Sequence, residues 1–256
     1  MSRLRILLAP NHPPQELVRR ARYIEAAGLD GVWVADHLRG GRHFTPPWYA
    51  MTVTLTAIAL GTQSLRFGPL VAGMPLRPSA ALGLDMATLA ELTPGRLLAA
   101  IGSGNERDAA TTGLSRGNAQ ELREYVTQVR RSHDQVIVTA STTSSVIVAA
   151  EVGTGWVTAG KRPPGGQRRT AIDSQMIDDV AALQAAYRHA GGTGPCLFLH
   201  DVMDTSPWSS LQAMRSTITT WTELDFDEVV VFDPEHYGSP STISYAQAAD
   251  ISHGIG

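Results

Sequence analysis

Asp36 and His37 are adjacent titratable residues that directly follow an apolar run, residues 31–35. A histidine titrates near neutral pH, so it can transfer a proton or stabilise a developing charge. The alternative is a loop histidine that is held by its neighbour. The histidines and the single cysteine show no metal-ligand spacing, so the pair predicts proton chemistry with no metal site.

A second candidate is the glycine-rich turn Gly102-Ser103-Gly104, which is followed by Asn105 and Glu106 and opens toward a helix. Glycines allow the backbone to approach a ligand closely. The turn is not a dinucleotide fingerprint, because its third glycine is missing and no acidic residue ends the next strand. By itself the motif fits a cofactor contact and a plain tight turn equally well.

A cluster of hydroxyl residues stands where a strand turns into a helix, and its members are Ser141, Thr142, Thr143 and Ser144. Exposed amide groups at a helix N-terminus attract phosphate, and hydroxyl groups add further donors. Serine and threonine are equally typical of ordinary N-caps. The cluster therefore predicts either a phosphate-binding site or a plain helix cap.

The remaining candidates are cationic and aromatic residues in loops. Lys161 and Arg162 are suited to an anionic substrate or cofactor tail, although both also fit a solvated loop. His12 follows the first apolar run, and Phe44 and Trp48 follow the second. Aromatic side chains at such positions can form the wall of an apolar pocket.

These residues must be positioned by an alternation of short apolar runs and helical segments. The predicted strands are residues 4–9, 31–35, 65–71, 96–101, 135–139, 155–158, 196–202 and 228–232. The predicted helices are residues 14–27, 49–60, 79–92, 118–132, 144–152, 174–190 and 208–224, and the tail from residue 238 has no clear pattern. Runs rich in valine, isoleucine and leucine are typical of parallel strands buried on both faces.

Eight predicted strands with seven helical segments between them favour an α/β fold, a single (β/α)8 barrel spanning residues 1–256, over a doubly wound sheet. In such a barrel the functional residues collect in the loops that follow the C-terminal ends of the strands. Every candidate named above follows a predicted strand. The sequence thus predicts one shared site at that rim.

Composition narrows the functional class. A net charge of −3 with no basic cluster argues against nucleic acid as the main partner. The single cysteine, Cys196, the absence of a leader-like N-terminus and the absence of a long apolar run predict a cytoplasmic protein with no membrane segment.

Three stretches resemble the luciferase-like flavin oxidoreductases. Residues 26–38, AAGLDGVWVADHL, resemble the second strand of that family. Residues 88–97, TLAELTPGRL, and 101–107, IGSGNER, resemble the fourth strand and its loop. Residues 138–157 resemble the fifth helix and the sixth strand. The resemblance covers most of residues 1–160. After residue 160 the chain matches the family only in its pattern of strands and helices.

The resemblance implies a variant (β/α)8 barrel that binds FMN or the deazaflavin coenzyme F420, and the Asp-His pair with the Gly-x-Gly turn looks more like the deazaflavin branch. His37 would act in proton transfer near the reactive ring carbon, and Asp36 would lie beside the cofactor. Leu70 and Val71 fall where many members have a non-proline cis peptide behind the ring. The cluster 141–144, preceded by Ala140, would bind the cofactor phosphate, and Lys161 would bind a substrate anion.

Two departures from the family pattern stand out. Asn105 occupies a position where many deazaflavin members have glutamate, and Glu106 comes next, so the family's general acid is displaced or missing. The segment between the fourth helix and the fifth strand is also short, whereas relatives carry an insertion there that shapes the pocket.

The leading hypothesis is an F420-dependent oxidoreductase that transfers hydride between the deazaflavin and a small organic substrate. His37 would be the proton partner, with Asp36, Asn105 and Glu106 as further catalytic candidates. The alternatives are an FMN-dependent monooxygenase and a non-catalytic flavin-binding barrel. A homodimer is a further expectation from the resemblance.

Overall fold

A computed structural model describes residues 3–38, 47–161, 171–202, 206–237 and 241–254 of the chain. In this part of the chain nine parallel strands form one sheet in the order β3-β2-β1-β9-β8-β7-β6-β5-β4. The strands are β1 Arg3–Leu8, β2 Gly31–Val34, β3 Arg66–Pro69, β4 Ala72–Gly73, β5 Ala99–Gly102, β6 Val136–Thr139, β7 Gly155–Thr158, β8 Cys196–His200 and β9 Glu228–Phe232. Helices lie between the strands, as the alternation predicts.

The third predicted strand, residues 65–71, is divided into two pieces at the cis peptide between Leu70 and Val71. The first piece, β3, pairs with β2, and the second, β4, pairs with β5. These pieces stand at the two ends of the sheet order but follow each other in the chain, and Phe67 of β3 also bridges to Leu97 just ahead of β5. The sheet is therefore a nearly closed barrel, which confirms the predicted fold class.

The described helices are α1 Pro14–Ala26, α2 Met51–Gly61, α3 Ser79–Leu92, α4 Glu106–Thr112, α5 Ala119–Val129, α6 Thr143–Val152, α7 Ser174–His189, α8 Leu211–Thr222 and α9 Tyr245–His253. Each of the seven predicted helices is present, with bounds that differ by a few residues. The short helix α4 was not among them. The expectation of an unpatterned tail was wrong, because Ser244 and Gln247 form a capping box that starts α9.

Alternation along the strands separates two apolar layers. Residues such as Leu7, Ile137 and Leu197 point into the barrel, and their chain neighbours point outward toward the helices. At the N-terminal end the buried Glu228 accepts a hydrogen bond from Trp33 Nε1 at 3.0 Å and lies 3.1 Å from Arg5 Nε. The C-terminal ends of the strands form the opposite rim, called the barrel mouth below, where the sequence places its candidates.

Candidate active site

A hydrogen-bonded cluster at the barrel mouth joins the end of β2 to the start of α4. His37 Nδ1 lies 2.7 Å from Asp108 Oδ2, and the Asn105 amide donates to the same oxygen at 2.6 Å. The backbone amide of Leu38 is 3.3 Å from Asp108 Oδ1. Three groups thus converge on one carboxylate, whose side chain is only 2% exposed.

The turn ahead of α4 explains how this carboxylate is placed. Gly104 adopts φ +80°, a conformation that favours glycine and that turns the chain from β5 into the helix. Asn105 is the N-cap, and its Oδ1 accepts a hydrogen bond from Asp108 N at 2.9 Å. Asp108 therefore lies in the first helical turn, where the helix dipole also favours a negative charge.

The contact with Asp108 determines the state of the His37 ring. Burial raises the pKa of Asp108, but hydrogen bonds from His37, Asn105 and Leu38 outweigh it and hold that pKa below its usual value. An ionised carboxylate at 2.7 Å requires a proton on Nδ1, so the neutral ring has Nε2 as its acceptor. The His37 side chain is 36% exposed, and its ring centroid lies 6.0 Å from that of Trp48. The ring is therefore accessible from the barrel mouth.

Asp36 faces a different partner from His37. Its carboxylate is 3% exposed and pairs with both terminal nitrogens of Arg77, at 2.7 and 3.0 Å. Burial raises the pKa of Asp36, and the positive charge of Arg77 opposes that shift. The Tyr125 hydroxyl in turn donates to the Arg77 carbonyl at 2.9 Å. The Asp36–Arg77 ion pair thus connects the end of β2 to the segment after β4.

The cis peptide between Leu70 and Val71, predicted from the resemblance, is present. Val71 and Leu70 pack against the apolar residues inside the barrel. A Cβ atom on Gly102 would lie 3.1 Å from Val71 Cγ2 and 3.4 Å from Thr139 Cβ. The inner surface of the mouth is therefore largely apolar, and the hydroxyl residue Thr139 lies beside Gly102. Ser103 lies next to this surface, and its carbonyl accepts a bond from Gly117 N at 3.3 Å.

The hydroxyl cluster 141–144 caps helix α6. Thr142 is the N-cap and forms a capping box with Ser145, whose hydroxyl lies 2.8 Å from Thr142 Oγ1. Thr143 is the first helical residue, and Ser144 Oγ lies 3.3 Å from the Thr142 hydroxyl. The Ala140 carbonyl, just ahead, accepts a hydrogen bond from Trp156 Nε1 at 3.0 Å. The cap that the sequence offered as one alternative is present, and a phosphate role stays a prediction.

Other predicted site residues lie apart from the His37 cluster. His12 Nε2 is 2.9 Å from Glu235 Oε2, and Lys161 Nζ is 3.2 Å from Asp179 of α7. Glu106 is exposed at the start of α4, so the acidic residue that contacts His37 is Asp108 instead. Two further candidates lie outside the described residues, Phe44 and Arg162.

The structure gives no support for a nucleophile elbow, a metal site or a membrane helix in the described part of the chain. Residues 113–117 match the Gly-x-Ser-x-Gly spacing of a nucleophile elbow, but they follow helix α4 rather than a strand, and Ser115 is exposed. Among the described residues no group of three or more His, Cys, Asp or Glu side chains is placed to hold a metal ion. No helix in the described ranges is both long and apolar enough to cross a membrane.

Sequence reasoning missed three residues of this site. Asp108 had a detectable signal, because an acidic residue three positions after an asparagine is a common N-cap pattern. Arg77 lies 41 residues from Asp36, and nothing in the sequence pairs them. Thr139 looks like any β-branched strand residue.

Comparisons with known proteins identify the family and the fold. The sequence profile of the family described as luciferase-like monooxygenase matches residues 3–133, about half of the chain. An F420-dependent glucose-6-phosphate dehydrogenase from Mycolicibacterium fortuitum is 32% identical over 131 residues. That alignment covers 48% of this chain and 37% of the relative, so it spans well under two thirds of the enzyme.

Solved structures match over almost the whole chain. An F420-dependent secondary alcohol dehydrogenase in complex with an F420-acetone adduct has a TM-score of 0.75 at 14% identity and covers 98% of this chain and 97% of its own. The oxygenating constituent of the 3,6-diketocamphane monooxygenase of Pseudomonas putida, in complex with FMN, has a TM-score of 0.69 at 12% identity, covering 98% and 97%. At such identities these matches establish the fold. Together with the profile match, they show that the chain belongs to the luciferase-like monooxygenase family.

Proposed function

We propose that this protein is an F420-dependent oxidoreductase in which hydride moves between the deazaflavin and a small organic substrate, with His37 as the proton partner. The observation that carries the proposal is the 2.7 Å contact between His37 Nδ1 and Asp108 Oδ2 at the barrel mouth. It fixes the tautomer of a ring that is also exposed to the mouth. Such a pairing of histidine and buried carboxylate is typical of acid–base catalysis.

The residues at the mouth fit a flavin-type ring. Gly102 presents no side chain toward Val71 and Thr139, and a Cβ there would partly fill the space between them. The inner surface is apolar, formed by residues that include Leu70, Val71 and Phe232, which suits the face of a flat aromatic ring. We infer that the ring lies over this surface with His37 at its edge. The N-terminus of α6 would hold the phosphate.

When bound, the deazaflavin supplies the hydride acceptor or donor. In the oxidation of an alcohol, one hydride leaves the substrate carbon and one proton leaves its hydroxyl. Nε2 of His37 would take that proton while Asp108 stabilises the resulting imidazolium. In the reverse direction the same nitrogen would return the proton to a carbonyl oxygen.

Deazaflavin is preferred over FMN because the sequence relative with 32% identity is named as an F420-dependent enzyme. Support for FMN comes from a neighbour that shares the fold at 12% identity. The Lys161–Asp179 ion pair provides no support for a subsite for sugar phosphate. The solved neighbour that holds an F420-acetone adduct makes a small alcohol or ketone the substrate class to test first.

The proposal is tested by purifying the protein from a host that makes both cofactors and identifying the retained cofactor by mass spectrometry. F420 reduction by propan-2-ol and by glucose 6-phosphate is then followed by loss of visible absorbance, in wild type and in His37→Asn. We expect F420 to be retained, and the variant to bind it normally while losing about 10²–10⁴-fold in turnover.

Three results would contradict parts of this proposal. Retention of FMN with oxygen consumption would favour the monooxygenase alternative. Retention of either cofactor with no turnover of any tested alcohol or ketone would favour a binding protein. Normal turnover by His37→Asn would show that His37 is not the proton partner.

A further inference from the structure

Thr139 is the last residue of β6 and points into the barrel mouth. Ile137, two positions earlier, packs inside the barrel, and Val138 packs outward against the helices. In the described part of the chain the Thr139 hydroxyl oxygen is buried and has no hydrogen-bond partner. It is thus a buried polar group that the protein itself leaves unsatisfied.

The surroundings of Thr139 place this hydroxyl beside the proposed cofactor surface. Ile101 pairs with Val138, so Gly102 stands next to Thr139 on the neighbouring strand. A Cβ atom on Gly102 would approach Thr139 Cβ to 3.4 Å and Val71 Cγ2 to 3.1 Å. Gly102, Val71 of the cis peptide bond and Thr139 are therefore close neighbours at the barrel mouth.

An unsatisfied hydroxyl at this position destabilises the free protein. Valine has almost the same shape as threonine, fits strands equally well and leaves no polar atom unpaired. The residue as a whole is partly exposed although Oγ1 is not, so its exposed surface belongs to other atoms. A χ1 rotation of about 120° carries the hydroxyl to another staggered position. That movement can bring Oγ1 toward a molecule in the mouth.

We propose that the Thr139 hydroxyl is a ligand of the bound cofactor, hydrogen-bonding the polar edge of its ring after this rotation. The inference rests on the proposed function, since it takes the ring to lie over Gly102 and Val71. Thr139 then orients the ring from the side of β6, while His37 approaches it from the end of β2.

The test compares Thr139→Val, which removes the hydroxyl, with Thr139→Ser, which keeps it. Thr158→Val is the matched control, because Thr158 ends the adjacent strand β7 but its hydroxyl accepts a hydrogen bond from Gly160 N at 3.0 Å. Affinities for purified F420 and for FMN are measured by fluorescence titration. The melting temperature of each protein without cofactor is measured separately.

We expect Thr139→Val to lower cofactor affinity without lowering the stability of the free protein. Cofactor affinity falls about three- to tenfold, whereas the melting temperature without cofactor is unchanged or raised by up to about 4 °C. Thr139→Ser binds within about twofold of wild type. Thr158→Val melts at a lower temperature but keeps wild-type affinity, because it loses a satisfied hydrogen bond of a side chain that points away from the barrel interior.

Wild-type affinity in Thr139→Val overturns the inference and leaves the proposed function standing. A lower melting temperature for this variant without cofactor also overturns it, because the hydroxyl would then have a partner in the free protein. If wild-type protein binds neither F420 nor FMN, the proposed function fails, and the role of Thr139 fails with it.

Discussion

At the scale of single residues, the site is determined by which carboxylate meets His37. The sequence drew attention to Asp36, the neighbour in the chain, and to Glu106. The structure pairs Asp36 with Arg77 and leaves Glu106 exposed, while Asp108 meets the histidine ring. Both residues follow the end of β2, but their side chains have different partners, Arg77 for Asp36 and Asp108 for His37.

We predict that Asp108→Asn lowers turnover by about 10²–10³-fold, because an amide no longer fixes the proton on Nδ1 or stabilises the imidazolium. Cofactor affinity should change much less. Glu106→Gln is the comparison in the same helical turn, and its exposed side chain predicts turnover close to wild type. Steady-state kinetics of both variants decide which carboxylate serves His37. A large loss in Glu106→Gln with none in Asp108→Asn would reverse the assignment.

At the scale of elements, the strands were predictable because buried parallel strands are continuous apolar runs. The division of the third strand was not visible in composition and came from the family resemblance. Helix α4 was missed because it is short, polar and lacks an apolar stripe. The start of α6 was predicted, since Thr142 and its neighbours are typical N-cap residues.

Contacts between elements far apart in sequence were beyond prediction, and Arg96 shows why. Its guanidinium donates to the carbonyls of Ala59, Thr62 and Leu65 and to the Thr62 hydroxyl, at 2.6 to 3.2 Å. The residue thereby binds the C-terminal end of α2 and the start of β3. Only the closed barrel brings the loop ahead of β5 to this position.

We predict that Arg96→Met destabilises the protein by about 2–4 kcal/mol, because several buried carbonyls lose their donor. Urea unfolding gives the free energy directly. The same change at Arg131, which is exposed, should cost less than about 0.5 kcal/mol. Equal effects of the two substitutions would show that the guanidinium does not cap α2.

At the scale of the whole molecule, stability should depend on a histidine away from the site. His133 is buried after α5, and burial lowers its pKa below the ordinary value, against smaller opposing effects of Asp134 and Gln135. The unfolded chain then binds more protons than the folded chain as pH falls through about 6.5. Stability is lost on the acidic side, by at most about 1.4 kcal/mol per pH unit from this group.

The prediction is tested by urea unfolding of wild type and His133→Asn at pH 7.5 and 5.5. The variant should lose less stability between these two pH values than wild type does. His189→Asn, which changes an exposed ring at the end of α7, should keep the wild-type difference. A variant at position 133 with an unchanged pH dependence would show that this ring is not the buried neutral group.

The central claim is that His37, the cis peptide at 70–71 and the N-terminus of α6 surround one cofactor ring and its phosphate. The most direct measurement is a crystal structure of the protein with F420 bound. The account predicts the ring over Val71 and Gly102, with Thr139 Oγ1 within hydrogen-bond distance of the ring and the phosphate at residues 141–144. His37 Nε2 should lie within hydrogen-bond distance of cofactor or substrate. A ring bound anywhere else, or one that leaves His37 facing solvent, would contradict it.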